Sequence, residues 1–193
     1  MPRVCVYAGS NFGARPAYRA AAESLARAIV GRGMGIVYGG SDIGLMGAVA
    51  DAGLAAGGEV IGVMPQALVD HEIAHRGLTE LRITASMHER KATMADLADG
   101  FVALPGGVGT LEELVEIVTW AQLGLHAKPC GLLDVAGYYA QLQAFLDHAA
   151  AEAFIRPQHR ALLLVEDDPD ALLDAFESWR APTVEKWIDR ASS

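Results

Sequence analysis

The sequence predicts a single α/β domain, a doubly wound parallel sheet with helices on both faces. Three observations lead there. Short Val/Ile-rich runs alternate with amphipathic stretches along most of the chain. The runs are continuously apolar rather than alternating, as strands buried on both faces are. Three of them end directly in glycine-rich loops.

Taken in order, RVCVYA is the first strand; it runs into AGS at 8–10 and is followed by a helix over 16–31. GIVYGG is the second, leading through GGSDIG at 39–44 into a helix over 44–56. EVIGVMP and LRITA each carry the Val or Ile of a strand, and a helix over 86–98 follows the latter. FVALPGG opens onto PGGVGT at 105–110 and a helix over 110–123. PCGLLD precedes a helix over 138–152, and ALLLVE one over 169–179. This places the domain at 1–180 and leaves 181–193 as a C-terminal tail, with tryptophans in WRAPTVEKWIDRASS that favour docking.

A chain of 193 residues buries a substantial core without disulfides or metal. Cys5 and Cys130 lie inside the apolar runs VCVYA and PCGLL, where reduced thiols behave as small hydrophobes, pointing to a cytoplasmic location. Only Pro2 and Arg3 precede the first apolar run, and no stretch is long enough to span a bilayer, so a soluble protein with no membrane partner is expected. A net charge of -9 argues against a nucleic-acid partner, because polyanion binding needs clustered cations and the lysines are only Lys91, Lys128 and Lys186.

The three glycine loops fall at the carboxyl ends of parallel strands, where open α/β sheets bind ligands, so Gly9, Ser10, Gly39 and Gly40 should line one crevice with PGGVGT. The plainer alternative is that such glycines only make tight turns. PGGVGTLEE lets the main chain approach a ligand and then starts a helix whose free N–H groups favour an anion. Without a following Gly-Lys-Ser/Thr it is no triphosphate loop, and a monophosphate suits it better.

Glu113 has two readings: the second half of a Thr110-x-x-Glu113 capping box, or a working carboxylate. At helical spacing Leu111, Leu114, Val115, Val118 and Ala121 make the core stripe, and Glu112 with Glu116 the polar side. Glu113 instead heads a ridge with Ile117 and Trp120. In SMHERKATMADLAD, Ser86 and Glu89 form a capping box, and Arg90 falls within the apolar stripe of Met87, Met94 and Leu97. Arg90 either snorkels to solvent or, with Lys91, reaches an anionic ligand or Glu113.

HEIAH at 71–75 spells the H-E-x-x-H pattern of zinc peptidases. Arg76-Gly77 follows at once, which allows only a short helix, and no later acid stands out as a third ligand. No metal is expected there. His71 and His75 read as surface or turn residues, and His88 as an exposed helix residue.

MHERK followed by PGGVGTLEE, together with YAGS, IVYGGSDIGLMG, VIGVMPQAL and EIAHRGLTEL, resembles the LONELY GUY family of cytokinin-activating nucleoside 5′-monophosphate phosphoribohydrolases, often mislabelled lysine decarboxylases. The signature PGGxGTxxE is complete at Pro105, Gly106, Gly107, Gly109, Thr110 and Glu113. The resemblance implies a Rossmann-like fold, a homodimer, and hydrolysis of the N-glycosidic bond of N6-modified AMP and of AMP itself, giving free base and ribose 5-phosphate. It implies Arg90 and Glu113 as the catalytic pair. Nucleotide contacts are implied from Glu72, Lys91, Gly107, Val108, Gly109, Thr110, Leu111, Glu112 and Thr119, and the amides from Gly106 to Thr110 would seat the 5′-phosphate. No cofactor is implied, and pyridoxal phosphate would need a Schiff-base lysine in a suitable loop. Ser41 and Ala8 depart from the family's frequent glycine and cysteine. A non-catalytic nucleotide or molybdenum-cofactor carrier is the alternative on the same glycine architecture, one with no need of an Arg90/Glu113 pair.

Overall fold

The computed structural model describes residues 1–69 and 74–182. One sheet holds β1 (Arg3–Tyr7), β2 (Gly35–Tyr38), β3 (Val60–Pro65), β4 (Glu80–Thr84), β5 (Gly100–Ala103), β6 (Cys130–Leu133) and β7 (Leu163–Glu166). Its strands run in the order β4-β3-β2-β1-β5-β6-β7, and every pairing is parallel. The helices are α1 (Pro16–Gly31), α2 (Gly44–Ala55), α3 (Gln66–Val69), α4 (Met87–Leu97), α5 (Val108–Gln122), α6 (Ala140–Ala151), α7 (Pro157–Arg160) and α8 (Pro169–Ser178).

The continuous apolar runs have the meaning expected of them, because successive residues of the central strands feed two separate cores. Val4 and Val6 of β1, Ile36 and Tyr38 of β2, and Val102 of β5 pack with Leu25 and Ile29 of α1, Val49 of α2 and Leu172 of α8. Cys5 and Tyr7, Val37 and Phe101 face the other way, onto Met94 of α4 and Leu114 and Ile117 of α5. Helices therefore cover both faces, and Cys5 and Cys130 are buried and unpaired. Among the described residues no helix is long and apolar enough to cross a membrane.

Chain order reverses across β1, whose neighbours are β2 and β5, and this is the switch point at which doubly wound sheets open a crevice. Tyr7 pairs with Ala103, so the loops leaving β1 and β5 emerge side by side.

Local departures from expectation have local causes. Helix α5 begins at Val108 with Gly107 as its extended N-cap, so Thr110 lies inside the first turn and is buried rather than capping. The Thr110/Glu113 capping box does not form. On α5 the buried stripe is Thr110, Leu114, Ile117 and Ala121, while Val115, expected in the core, is 56% exposed. Helix α6 starts two residues late because 135–137 form a 3₁₀ turn in which Ala136 and Gly137 have φ of 54° and 74°. Met87 is exposed rather than part of the α4 core. The tail expected at 181–193 lies, beyond Pro182, outside the described residues.

Candidate active site

Arg90 enters the site from the first turns of α4, which Ser86 caps by accepting from the Glu89 amide at 3.1 Å. Glu89 closes the box one residue early, accepting from the Ala85 amide at 2.7 Å. With the helix start fixed, the guanidinium runs over the ends of β2 and β3. Its Nε donates to the Val63 carbonyl at 3.1 Å and its Nη2 to the Gly39 carbonyl at 3.5 Å. Arg90 does not snorkel. A Cβ on Gly39 would collide with Arg90 Nη2, so the glycine is the seat that lets the arginine lie flat.

Glu113 comes from α5 on the opposite wall, and its Oε1 stands 3.8 Å from Arg90 Nη2. The two side chains are 14% and 11% exposed respectively, so the pair faces the cleft with most of its surface out of water. Burial raises the Glu113 pKa above the ordinary glutamate value; Arg90 opposes that shift and nearby Glu112 adds to it. A carboxylate short of solvation beside a single guanidinium at this distance is suited to stabilising a second positive charge that develops in the cleft.

Lys91 points differently. Its Nζ binds Glu112 at 2.5 Å and Glu116 at 3.0 Å, contacts that raise its pKa. One ammonium thus holds two α5 carboxylates, of which Glu112 lines the cleft and would otherwise stand free beside any anion there.

The loop after β5 has its carbonyls tied back one by one. Leu104 O accepts from the Tyr139 hydroxyl at 2.6 Å, Pro105 O from the Gly9 amide at 3.1 Å and Gly106 O from the Tyr138 hydroxyl at 2.6 Å. Gly107 O accepts from the Leu111 amide at 3.2 Å as the helix begins. In a trans peptide the following N–H points opposite to the carbonyl. The amides of Gly106 and Gly107 are therefore turned away from these partners, and those of Val108 to Thr110 are free helix-start donors. Gly106 is needed at its place, since a Cβ there would collide with the buried Thr110 side chain.

The cleft is lined by Gly9 and Ser10 after β1, by Met46, Met87 and Arg90, and by Gly107, Val108, Gly109, Thr110, Glu112 and Glu113. Several expected site residues stand elsewhere. Gly9 lines the cleft, but its own amide is spent on Pro105. Gly39 lies beneath Arg90 and Gly40 against Leu81 and Met64, neither in the cleft wall, and Gly40 O accepts from the His75 amide at 3.0 Å. Leu111 packs its side chain against the second core, as its place in the apolar stripe requires. Thr119 is on the exposed face of α5, its hydroxyl donating to Val115 O at 2.7 Å, outside this cleft. Gly106 borders an adjoining recess with Tyr138. Glu72 and His71 lie outside the described residues. The sequence reading missed Met46 and Tyr138 altogether.

HEIAH does not offer His75 to a metal. Its Nδ1 accepts from the Gly77 amide at 3.1 Å, which leaves the proton on Nε2, 3.0 Å from Asp51 Oδ1. Both ring nitrogens are occupied, and Ala74 bridges to Ser41 as extended chain rather than helix. His75 is a half-buried turn residue, and His88 is exposed.

A family described as possible lysine decarboxylase matches residues 46–176. Among the described residues the lysines give that description little support: Lys91 of α4 is held by two α5 carboxylates, and Lys128 Nζ donates to the Ala95 carbonyl at 2.8 Å. A rice protein named probable cytokinin riboside 5′-monophosphate phosphoribohydrolase LOGL9 is 52% identical over 177 residues, 92% of this chain and 78% of its own. Arabidopsis thaliana cytokinin riboside 5′-monophosphate phosphoribohydrolase LOG5 is 48% identical over 178 residues, 92% of this chain and 78% of its own. Among solved structures, the Moco carrier protein of Chlamydomonas reinhardtii superposes with a TM-score of 0.70 at 21% identity, covering 92% of this chain and 96% of that one, a likeness of fold. Signature loop, Arg90/Glu113 pair and near-full-length identity agree: the chain belongs to the LONELY GUY family of cytokinin riboside 5′-monophosphate phosphoribohydrolases.

Proposed function

We propose that the protein hydrolyses the N-glycosidic bond of N6-modified adenosine 5′-monophosphates and of AMP, releasing the free base and ribose 5-phosphate. The convergence of Arg90 and Glu113 beside a row of free amides carries this reading. The 5′-phosphate sits on the amides from Gly106 to Thr110, which brings the ribose between the two walls. As the C1′–N9 bond breaks, positive charge grows on the sugar, and the Glu113 carboxylate stabilises it and orients the water whose oxygen bonds to C1′. The bonding electrons leave with N9, and the purine takes up one proton as the water gives one up, so the free base and ribose 5-phosphate balance. Arg90 acts by holding Glu113 and substrate in register. A carrier protein would have no use for this pair.

The compartment is a reducing one, in keeping with two buried free thiols. The protein works as a homodimer through α5, where Val108 and Val115 are 84% and 56% exposed and Leu125 beyond its end is 68% exposed. Thr119 on that face would meet nucleotide only across such an interface. Sedimentation as a monomer would remove this element.

The test is base release from AMP, isopentenyladenosine monophosphate and unphosphorylated adenosine. Loss of a charge-assisted anchor lowers kcat/KM for adenosine by about a hundredfold or more. Equal turnover of AMP and adenosine would refute the phosphate seat. Absence of release from both monophosphates would refute the enzymatic reading.

A further inference from the structure

Tyr138 lies outside the cleft, follows the strained turn after β6 and is 42% exposed. Its ring is nevertheless closely fixed. It meets Tyr18 edge-on at 5.7 Å between centroids and Tyr139 at 4.9 Å, and Arg15 Nη1 donates to Ala136 O at 3.3 Å to brace the turn. Among the described residues the one polar bond of its hydroxyl is the 2.6 Å donation to Gly106 O.

That carbonyl belongs to the peptide between Gly106 and Gly107, the segment of the anion loop with the least side-chain restraint on rotation. Flipped, it would put an oxygen where the Gly107 N–H belongs, and an anion would meet a negative dipole end instead of a donor. We infer that Tyr138 is a positioning residue of the anion site: by holding Gly106 O from outside, it keeps the Gly107 amide turned toward the phosphate. The inference rests on the functional reading above for the identity of the anion.

Tyr139 supplies an internal control. Its hydroxyl donates to Leu104 O, but the next residue is Pro105, so that peptide has no N–H to present. Both hydroxyls brace backbone, and only the Tyr138 bond aims a donor.

The experiment compares Tyr138→Phe and Tyr139→Phe with the parent in three measurements: AMP kinetics, adenosine hydrolysis, and calorimetric binding of ribose 5-phosphate. For Tyr138→Phe, KM for AMP and Kd for ribose 5-phosphate rise about five- to tenfold, the scale of one net hydrogen bond, with kcat changed less and the adenosine rate unchanged. Tyr139→Phe lowers thermal stability and leaves both constants within about twofold of the parent. Unchanged KM and Kd in Tyr138→Phe overturn the inference, as does an equal loss on AMP and adenosine. If the parent binds ribose 5-phosphate but releases no base, the functional reading fails while the binding comparison still decides Tyr138. A parent that binds neither AMP nor ribose 5-phosphate overturns both.

Discussion

Replacing Gly39 by alanine tests the seat of Arg90 without touching a charged group. Gly39 lacks a positive φ, so alanine suits its backbone, and the nearest groups to the added Cβ are Arg90 and, at 3.2 Å, Met46 Sδ. To regain van der Waals distance the guanidinium must withdraw by about 1 Å. At 3.8 Å the Arg90/Glu113 attraction is about 4 kcal/mol for an effective dielectric of about 20, and one further ångström removes about 1 kcal/mol of it. Misplacement of that size in a reacting centre costs about a hundredfold in rate. Stability changes less, because the weakened bond to Gly39 O is partly offset by the entropy alanine removes from the unfolded chain, about 0.4 to 1 kcal/mol. Base release from AMP by separation of adenine is the assay. Gly31→Ala, at a position with nothing within 4 Å of an added Cβ, is the control. A Gly39→Ala enzyme within about threefold of the parent would refute the argument that Arg90 must lie where it does.

Glu113→Gln should lower base release about a thousandfold and yet raise the melting temperature at neutral pH. Burial lifts the folded-state pKa above the unfolded one, so the proton-linked stability is complete below the ordinary glutamate range and is lost as pH rises through the raised value. Parent and variant therefore match in acid and separate toward neutrality, with the glutamine form the more stable; a gap that fails to open in denaturation curves across pH contradicts this. The same shift puts the acid limb of the parent's pH–rate profile above the range of a free glutamate. Lys91→Ala releases Glu112 and Glu116 beside the cleft, so KM for AMP should rise about fivefold at low ionic strength and recover with salt. An unchanged KM at low salt would show that those carboxylates do not bear on the anion.

The sheet was legible because its inner strands are short apolar runs, with the edge strand β4 interrupted by Arg82, and the helix bearing Arg90 because its capping box is contained in four neighbouring residues. Arg90 and Glu113 stood out as polar groups on otherwise apolar ridges, the pattern their shared burial requires. Thr110 misled because a hydroxyl three residues before a glutamate looks like a cap. Only the packing against Gly106 shows that the helix has already begun. The Lys91 bridge to Glu112 and Glu116 joins two helices, and no spacing within either announces it. Tyr138 was silent for a further reason: its partner is a main-chain oxygen 32 positions away, and backbone acceptors leave no trace in residue identity.

The row of amides at the start of α5 is aimed before any ligand arrives, since its carbonyls are already engaged from behind. Such a grip cannot distinguish what comes in from what goes out. On the proposed seating, scission alters the far end of the nucleotide and leaves the gripped tail as it was, so ribose 5-phosphate would depart against the same hold that captured the substrate.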